Sequence, residues 1–122
     1  MSANILVLED DEAMHRLILR RLERAGHRVS IFAHAGPALD AIDAGQSFDL
    51  YLLDVKMPVG ELHGLALARM ITVRFPNARI LFLTSDPDLV PAADKLLGPV
   101  FAKPVDFNVL LKEIERRLAP GA

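Results

Sequence analysis

The sequence predicts an α/β protein in which a doubly wound parallel sheet lies between two layers of helices. Two observations lead there. Short apolar runs of strand length recur along the chain, and the stretches between them repeat their apolar residues every three or four positions. Strands that alternate with helices join through right-handed crossovers, which makes the strands parallel and covers both faces of the sheet. At 122 residues the chain suits one such domain, able to bury roughly two thirds of its unfolded surface without covalent staples.

The elements follow in order. "ILVL" (5–8) reads as a fully buried first strand, since strands covered on both faces are continuous apolar runs. Met14, Leu17, Ile18, Leu22 and Ala25 then mark the inward stripe of a first helix, and Gly26 stands where a helix C-terminus favours glycine. "HRVSIF" (27–32) is a weaker, outer strand in which Val29 and Ile31 alternate with Arg28 and Ser30. In "GPALDAIDAG" Pro37 suits the first position of a second helix and Gly45 its stop. "LYLL" (50–53) is the third strand. Leu65, Ala68, Ile71 and Phe75 mark a third helix that ends before Pro76, and "ILFL" (80–83) is the fourth strand. After a short fifth strand, "VFA" (100–102), Asp106 caps a last helix with Phe107, Leu110, Leu111, Ile114 and Leu118 on its inward stripe. Phe75, Phe82 and Phe107 are expected in the core.

The composition, 52% hydrophobic and 25% charged with net charge -2, is that of an ordinary soluble globular protein and shows no basic bias toward nucleic acid. The absence of cysteine excludes disulfides, thiolate nucleophiles and thiolate metal sites. Only four consecutive apolar residues precede the acids of "MSANILVLEDD", too few for a signal-peptide core, and no run approaches a membrane span. A cytoplasmic protein without membrane or direct nucleic-acid contacts is expected.

In doubly wound sheets, ligands bind beyond the carboxyl ends of the strands. There the first strand runs into Glu9, Asp10 and Asp11, the third ends in Asp54, the fourth in Thr84 and Ser85, and the fifth in Lys103 and Pro104. Unit charges about 4 Å apart repel by on the order of 4 kcal/mol at an effective dielectric of about 20, so gathered carboxylates call for a cation. Oxygen ligands without cysteine or a nearby histidine favour a hard ion such as Mg2+, with Mn2+ as the alternative. An aspartate between that cation and Lys103 suits phosphoryl transfer, with Asp54 as nucleophile, an aspartyl phosphate as product and Thr84 donating its hydroxyl to a phosphoryl oxygen. Each feature alone has a plainer explanation: Asp11 and Glu12 need only cap the next helix, a lone buried aspartate is often structural, and a Thr-Ser pair is usually a turn. Their convergence at four strand ends of one sheet favours chemistry.

On "ILVLEDDE", "LLDVKMP", "LFLTS" and "FAKP" the sequence resembles the response-regulator receiver domain, over nearly the whole chain from Asn4 to Leu118. The resemblance implies a flavodoxin-like (βα)5 sandwich with strand order 2-1-3-4-5. It implies that Asp54 is the phosphorylated aspartate and that Glu9 and Asp10 are the acidic pair that holds Mg2+ beside it, with the backbone carbonyl of Lys56. Thr84 resembles the hydroxyl that follows the phosphoryl group, Lys103 the lysine that pairs with it, and the Lys103-Pro104 bond is expected to be cis. The implied donor is a sensor histidine kinase or a histidine phosphotransfer protein, and the implied target a downstream protein. A signalling protein that is not an enzyme, with residues 1–122 forming a single receiver domain without an output domain, is expected.

The sequence departs from the family pattern in three places. The glycine after the "MP" loop falls two positions late in "VGELHG", which leaves the path of residues 59–64 open. Only eighteen residues separate Thr84 from Lys103 and Pro91 interrupts them, so the fourth helix should be short. Val100 occupies the position three before the lysine, usually tyrosine or phenylalanine, while Phe101 next to it points to the other face. A valine is too short to swing between buried and exposed positions, so a change of order in residues 85–98 is the expected response to phosphorylation.

Arg16, Arg20 and Arg24 form a basic row on the first helix, either a solvated face or a docking face for an acidic partner. The histidines at 15, 27, 34 and 63 have no metal-like spacing and are expected on the surface or in loops. Two other functions fit parts of the pattern. A haloacid-dehalogenase-like phosphatase wants a second acid two residues after the nucleophile, where Lys56 stands, and a receiver-like module that works without phosphorylation would have lost some of the acids, Thr84 or Lys103.

Overall fold

A computed structural model describes residues 2–57 and 63–119 of the chain. Five parallel strands, β1 (Asn4–Leu8), β2 (Arg28–Phe32), β3 (Leu50–Asp54), β4 (Ile80–Thr84) and β5 (Val100–Ala102), pair in the order β2-β1-β3-β4-β5. The helices are α1 (Glu12–Arg24), α2 (Ala35–Asp43), α3 (Gly64–Arg74), α4 (Ala92–Lys95) and α5 (Phe107–Leu118), with a 3-10 turn at Pro87–Leu89. The period-2 alternation of the strands divides the core between the two faces. Leu6, Leu8, Tyr51, Leu53, Ile80 and Phe82 pack beneath α2 and α3, while Ile5, Val7, Leu50, Leu52, Leu81 and Leu83 pack beneath α1 and α5. β3 and β4 are buried along their whole length, as their unbroken apolar runs predict, and truncating the fully buried Phe82 to alanine should cost about 3–5 kcal/mol.

Local chemistry sets where the helices begin and end. The Asp11 carboxylate caps α1 by accepting from the Met14 N–H at 2.8 Å, and Asp106 caps α5 by accepting from Asn108 and Val109. Gly26 and Gly45 take φ of +95° and +91° just beyond α1 and α2, a conformation that glycine adopts without strain. α3 starts at Gly64, where a β-carbon would run into the backbone carbonyl of Asp54, so the first turn of α3 lies directly on the end of β3. α4 is one turn, as the short interval before Lys103 predicts. Val100 packs toward the α2/α3 face and Phe101 toward the α1/α5 face.

Several expectations need correction. Pro37 is the third residue of α2, which begins at Ala35. Leu17 is 43% and Phe75 44% exposed, so neither belongs to the core: α1 buries Ile18 and Leu22, and Phe75 overhangs the end of α3. His27 is not a surface residue. It is 6% exposed, and its Nδ1 has no hydrogen-bond partner among the described residues. Of the 59–64 loop, residues 59–62 lie outside the described residues.

Burial, then the charged N-terminus, hold the His27 imidazole below its usual 6.5, while Glu115 acts the other way. A depressed folded-state value means that neutral His27 contributes stability fully present above pH 6.5 and lost as pH falls below it. The urea midpoint of the parent should therefore fall relative to that of His27→Leu between about pH 7.5 and about pH 5.5. Parallel profiles for the two proteins would contradict this account.

Candidate functional site

The predicted groups meet at the carboxyl edge of the sheet. Asp54 ends β3 at 3% exposure, Glu9 follows β1 with no exposure at all, and Asp10 beside it faces solvent. One carboxylate oxygen from each of Glu9, Asp10 and Asp54 lies within 4.8 Å of the others. Lys103 reaches them from the far end of β5, donating to Glu9 Oε1 at 2.8 Å and to Asp54 Oδ2 at 3.2 Å. The other Asp54 oxygen accepts from the Lys56 N–H at 3.2 Å, and the second Glu9 oxygen accepts from the Asp11 N–H at 3.1 Å. Both Glu9 oxygens are thus engaged within the protein, and Asp10 is the acid with its carboxylate open to solvent.

The electrostatics follow from burial and crowding. Burial first, then the charge of Glu9 and a hydrogen bond with it, push the Asp54 carboxyl up to about 7, while Lys103 pulls the other way. Burial also works against the Lys103 charge, but its contacts with Glu9 and Asp54 outweigh that and hold the ammonium above the usual lysine range. One lysine cannot offset three acids. The donor set is all oxygen, with one ligand atom available from each acid, which suits a hard divalent cation.

Thr84, 2% exposed at the end of β4, accepts from the Asp86 N–H through Oγ1 at 3.1 Å. Asp86 in turn meets Lys56 Nζ at 3.5 Å across the mouth of the site, a surface pair of small energetic value. A cleft of about 270 Å3 opens beside Thr84 between Val55, Met57, His63, Leu65 and Leu89. A larger cavity, about 540 Å3, opens at the opposite end of the sheet around Phe48, Tyr51 and Phe75, away from all three acids. The Lys103-Pro104 peptide is cis. The structure thus brings Glu9, Asp10, Asp54 and Lys103 into one cluster and places Thr84 at the neighbouring end of β4. The sequence does not predict the Lys56–Asp86 contact or the clasp of Arg69 in α3 on Asp94 in α4, because pairs so far apart in the chain leave no periodic trace.

Comparison with known proteins agrees with this geometry. The sequence profile of the response regulator receiver domain matches residues 5–115. The chain is 34% identical over 120 residues to the response regulator receiver protein CpdR of Brucella abortus, covering 93% of this chain and 95% of that protein. It is 30% identical to the DNA-binding transcriptional regulator NtrC of Proteus hauseri, over 94% of this chain but 24% of that longer protein. Among solved structures, NtrX of Brucella abortus superposes with a TM-score of 0.85 at 26% identity, over 97% of this chain and 28% of that one. Among the described residues no helix is long and apolar enough to cross a membrane. A sheet of order 2-1-3-4-5, acids at the ends of its first and third strands and a profile match over most of the length make the chain a member of the response regulator receiver domain family of two-component signalling.

Proposed function

We propose that the protein takes a phosphoryl group from a phosphohistidine donor onto Asp54 and passes the signal to a protein partner through a change of shape. The observation that carries this proposal is the position of the Asp54 carboxylate, buried at a strand end, in contact with Lys103 and with an oxygen within 4.8 Å of one from each of Glu9 and Asp10. In the transfer a new bond forms between an Asp54 oxygen and phosphorus as the phosphorus–nitrogen bond of the donor breaks. The departing imidazole nitrogen keeps the electron pair and takes up a proton. Lys103 is positioned to follow a phosphoryl oxygen, and the Thr84 hydroxyl to donate to another once it leaves the Asp86 N–H. Asp10 and Asp54, with Glu9 behind them and the Lys56 carbonyl beside them, would hold Mg2+ or Mn2+. That cation would supply the positive charge that keeps Asp54 ionised and offsets the phosphoryl oxygens.

The donor would be a sensor histidine kinase or a histidine phosphotransfer protein. The exposed arginines of α1, at positions 16, 20 and 24, offer a basic face to an acidic surface on such a partner. The role is that of a signalling protein, with phosphoryl gain and loss as the two states of a switch. Lys56, two residues after Asp54, supplies no second acid of the phosphatase type.

Two experiments test the site. Incubation with Mg2+ and acetyl phosphate should add one phosphoryl group by intact mass, Asp54→Asn should abolish it, and Asp10→Ala should weaken metal binding. A variant lacking Asp54 that still gains the group at the parental rate would overturn the assignment. The second concerns stability without metal. With its carboxyl raised from 3.8 to about 7 in the fold, Asp54 favours the protonated form, so its stability contribution is lost as pH rises through that window. In EDTA at about pH 8, Asp54→Asn should be more stable than the parent by about 1–3 kcal/mol, and the gap should close toward about pH 4. Equal melting curves at the higher pH would count against a strained carboxylate.

A further inference from the structure

The link between β4 and β5 is attached to the rest of the fold in an uncommon way. α4 is a single turn, too short to hold itself together, and Asp94 is its one buried residue, at 2% exposure. Ala92, Ala93 and Lys95 face solvent, and Leu96 immediately after is 88% exposed. The apolar anchors lie outside the helix, at Val90 before it and Leu97 after it. At its middle, α4 is held by a carboxylate. Both Asp94 oxygens accept from the Arg69 guanidinium of α3, from Nε at 2.8 Å and Nη2 at 2.6 Å, and among the described residues Asp94 has no other side-chain hydrogen bond. α3 itself begins on the backbone of Asp54 at Gly64. The other end of the link begins at Asp86, whose N–H is bonded to Thr84 Oγ1. The segment 86–98 is thus tied at one end to the hydroxyl beside Asp54 and at the other to the helix that starts on Asp54.

We propose that the Arg69–Asp94 pair is a latch that holds segment 86–98 on α3, and that phosphorylation opens it; the second half rests on Asp54 being the acceptor. A phosphoryl oxygen that draws in the Thr84 hydroxyl takes Oγ1 away from the Asp86 N–H and pulls on the start of the segment. Asp94 is 2% exposed with Arg69 in place, so the pair is either closed, or broken with Asp94 hydrated and α4 free to lift. Such a contact gives two discrete arrangements, which a switch requires. The Arg69 side chain is 57% exposed, so water and salt reach the pair and keep the latch weak enough for one phosphorylation event to shift.

Amide exchange decides it. In the unphosphorylated protein, Arg69→Ala should speed exchange across 86–98 by about tenfold or more and leave β1, β3 and β4 unchanged. Beryllofluoride with Mg2+ should speed the same segment in the parent and add little in the variant. The double variant Arg69→Met with Asp94→Leu, which replaces the charges by apolar packing, should keep the segment protected and blunt the beryllofluoride response. Raising NaCl from about 0.05 M to about 1 M should speed exchange in the parent alone. Unchanged protection in Arg69→Ala, or a uniform increase over the whole sheet, would overturn the latch. A parent that ignores beryllofluoride while Arg69→Ala still loosens 86–98 would overturn the acceptor role of Asp54 and support the holding role of the pair.

Discussion

Lys103 is the contact on which the rest of the site depends. Its ammonium lies between Glu9 and Asp54, two carboxylates that are almost wholly removed from water, and it starts on the edge strand β5, with β4 between it and Asp54. Neighbouring strands are about 4.8 Å apart, so a short cation on β5 would not reach. The long lysine stem does, and the Lys103 backbone N–H donates to the Thr84 carbonyl of β4 at 2.8 Å. The strand order is therefore part of the chemistry: it puts β1 and β3 side by side to share their acids and leaves one intervening strand end for a hydroxyl.

This arrangement keeps the site short of positive charge. Two acids and one lysine leave an excess of negative charge before Asp10 is added, and burial forces the imbalance onto Asp54, which is why its carboxyl is raised while Lys103 is held charged. A fold optimised for stability would replace the cluster with apolar side chains, since buried ionic groups contribute little net stability. The proposed transfer, which would bring a cation and an anionic phosphoryl group to the site in succession, would need the imbalance. The surroundings compensate for it with an unbroken apolar core on both faces of the sheet.

How much of this the sequence discloses depends on whether a residue answers to a local pattern or to a distant neighbour. Strands covered on both faces must be apolar without interruption, so β1, β3 and β4 were legible as runs, and the residue that breaks each run marks the strand end where Glu9, Asp54 and Thr84 stand. Helix periodicity gives a face but says nothing about how far the helix reaches past the sheet, and Leu17 and Phe75 lie on the expected stripes where nothing covers them. His27 does stand in the connection between α1 and β2, but its burial there has no local sign in the sequence. The Arg69–Asp94 pair had one faint local sign, an aspartate on a helix too short to bury anything else.

The sheet and the link between β4 and β5 divide the mechanical roles. A core with almost no exposed side chain cannot deform by small amounts, so the charge that the proposed transfer would add at Asp54 would be accommodated at the edge of the sheet. Three parts of that edge carry groups able to respond: Lys103, whose backbone is tied to Thr84, the first turn of α3, which Gly64 seats against Asp54, and the segment from Asp86 to Gly98. The last has a single helical turn, exposed Leu89 and Leu96, and polar attachments at Thr84 and Arg69. With valine at position 100, β5 offers no large side chain to carry the displacement, and Phe101 is committed to the opposite face. Under the proposed phosphorylation of Asp54, movement at Thr84 would pass along the backbone into this stretch, which Val90 and Leu97 anchor to the core and which the polar contacts of Thr84 and Arg69 hold reversibly, and the surface seen by a partner would change there.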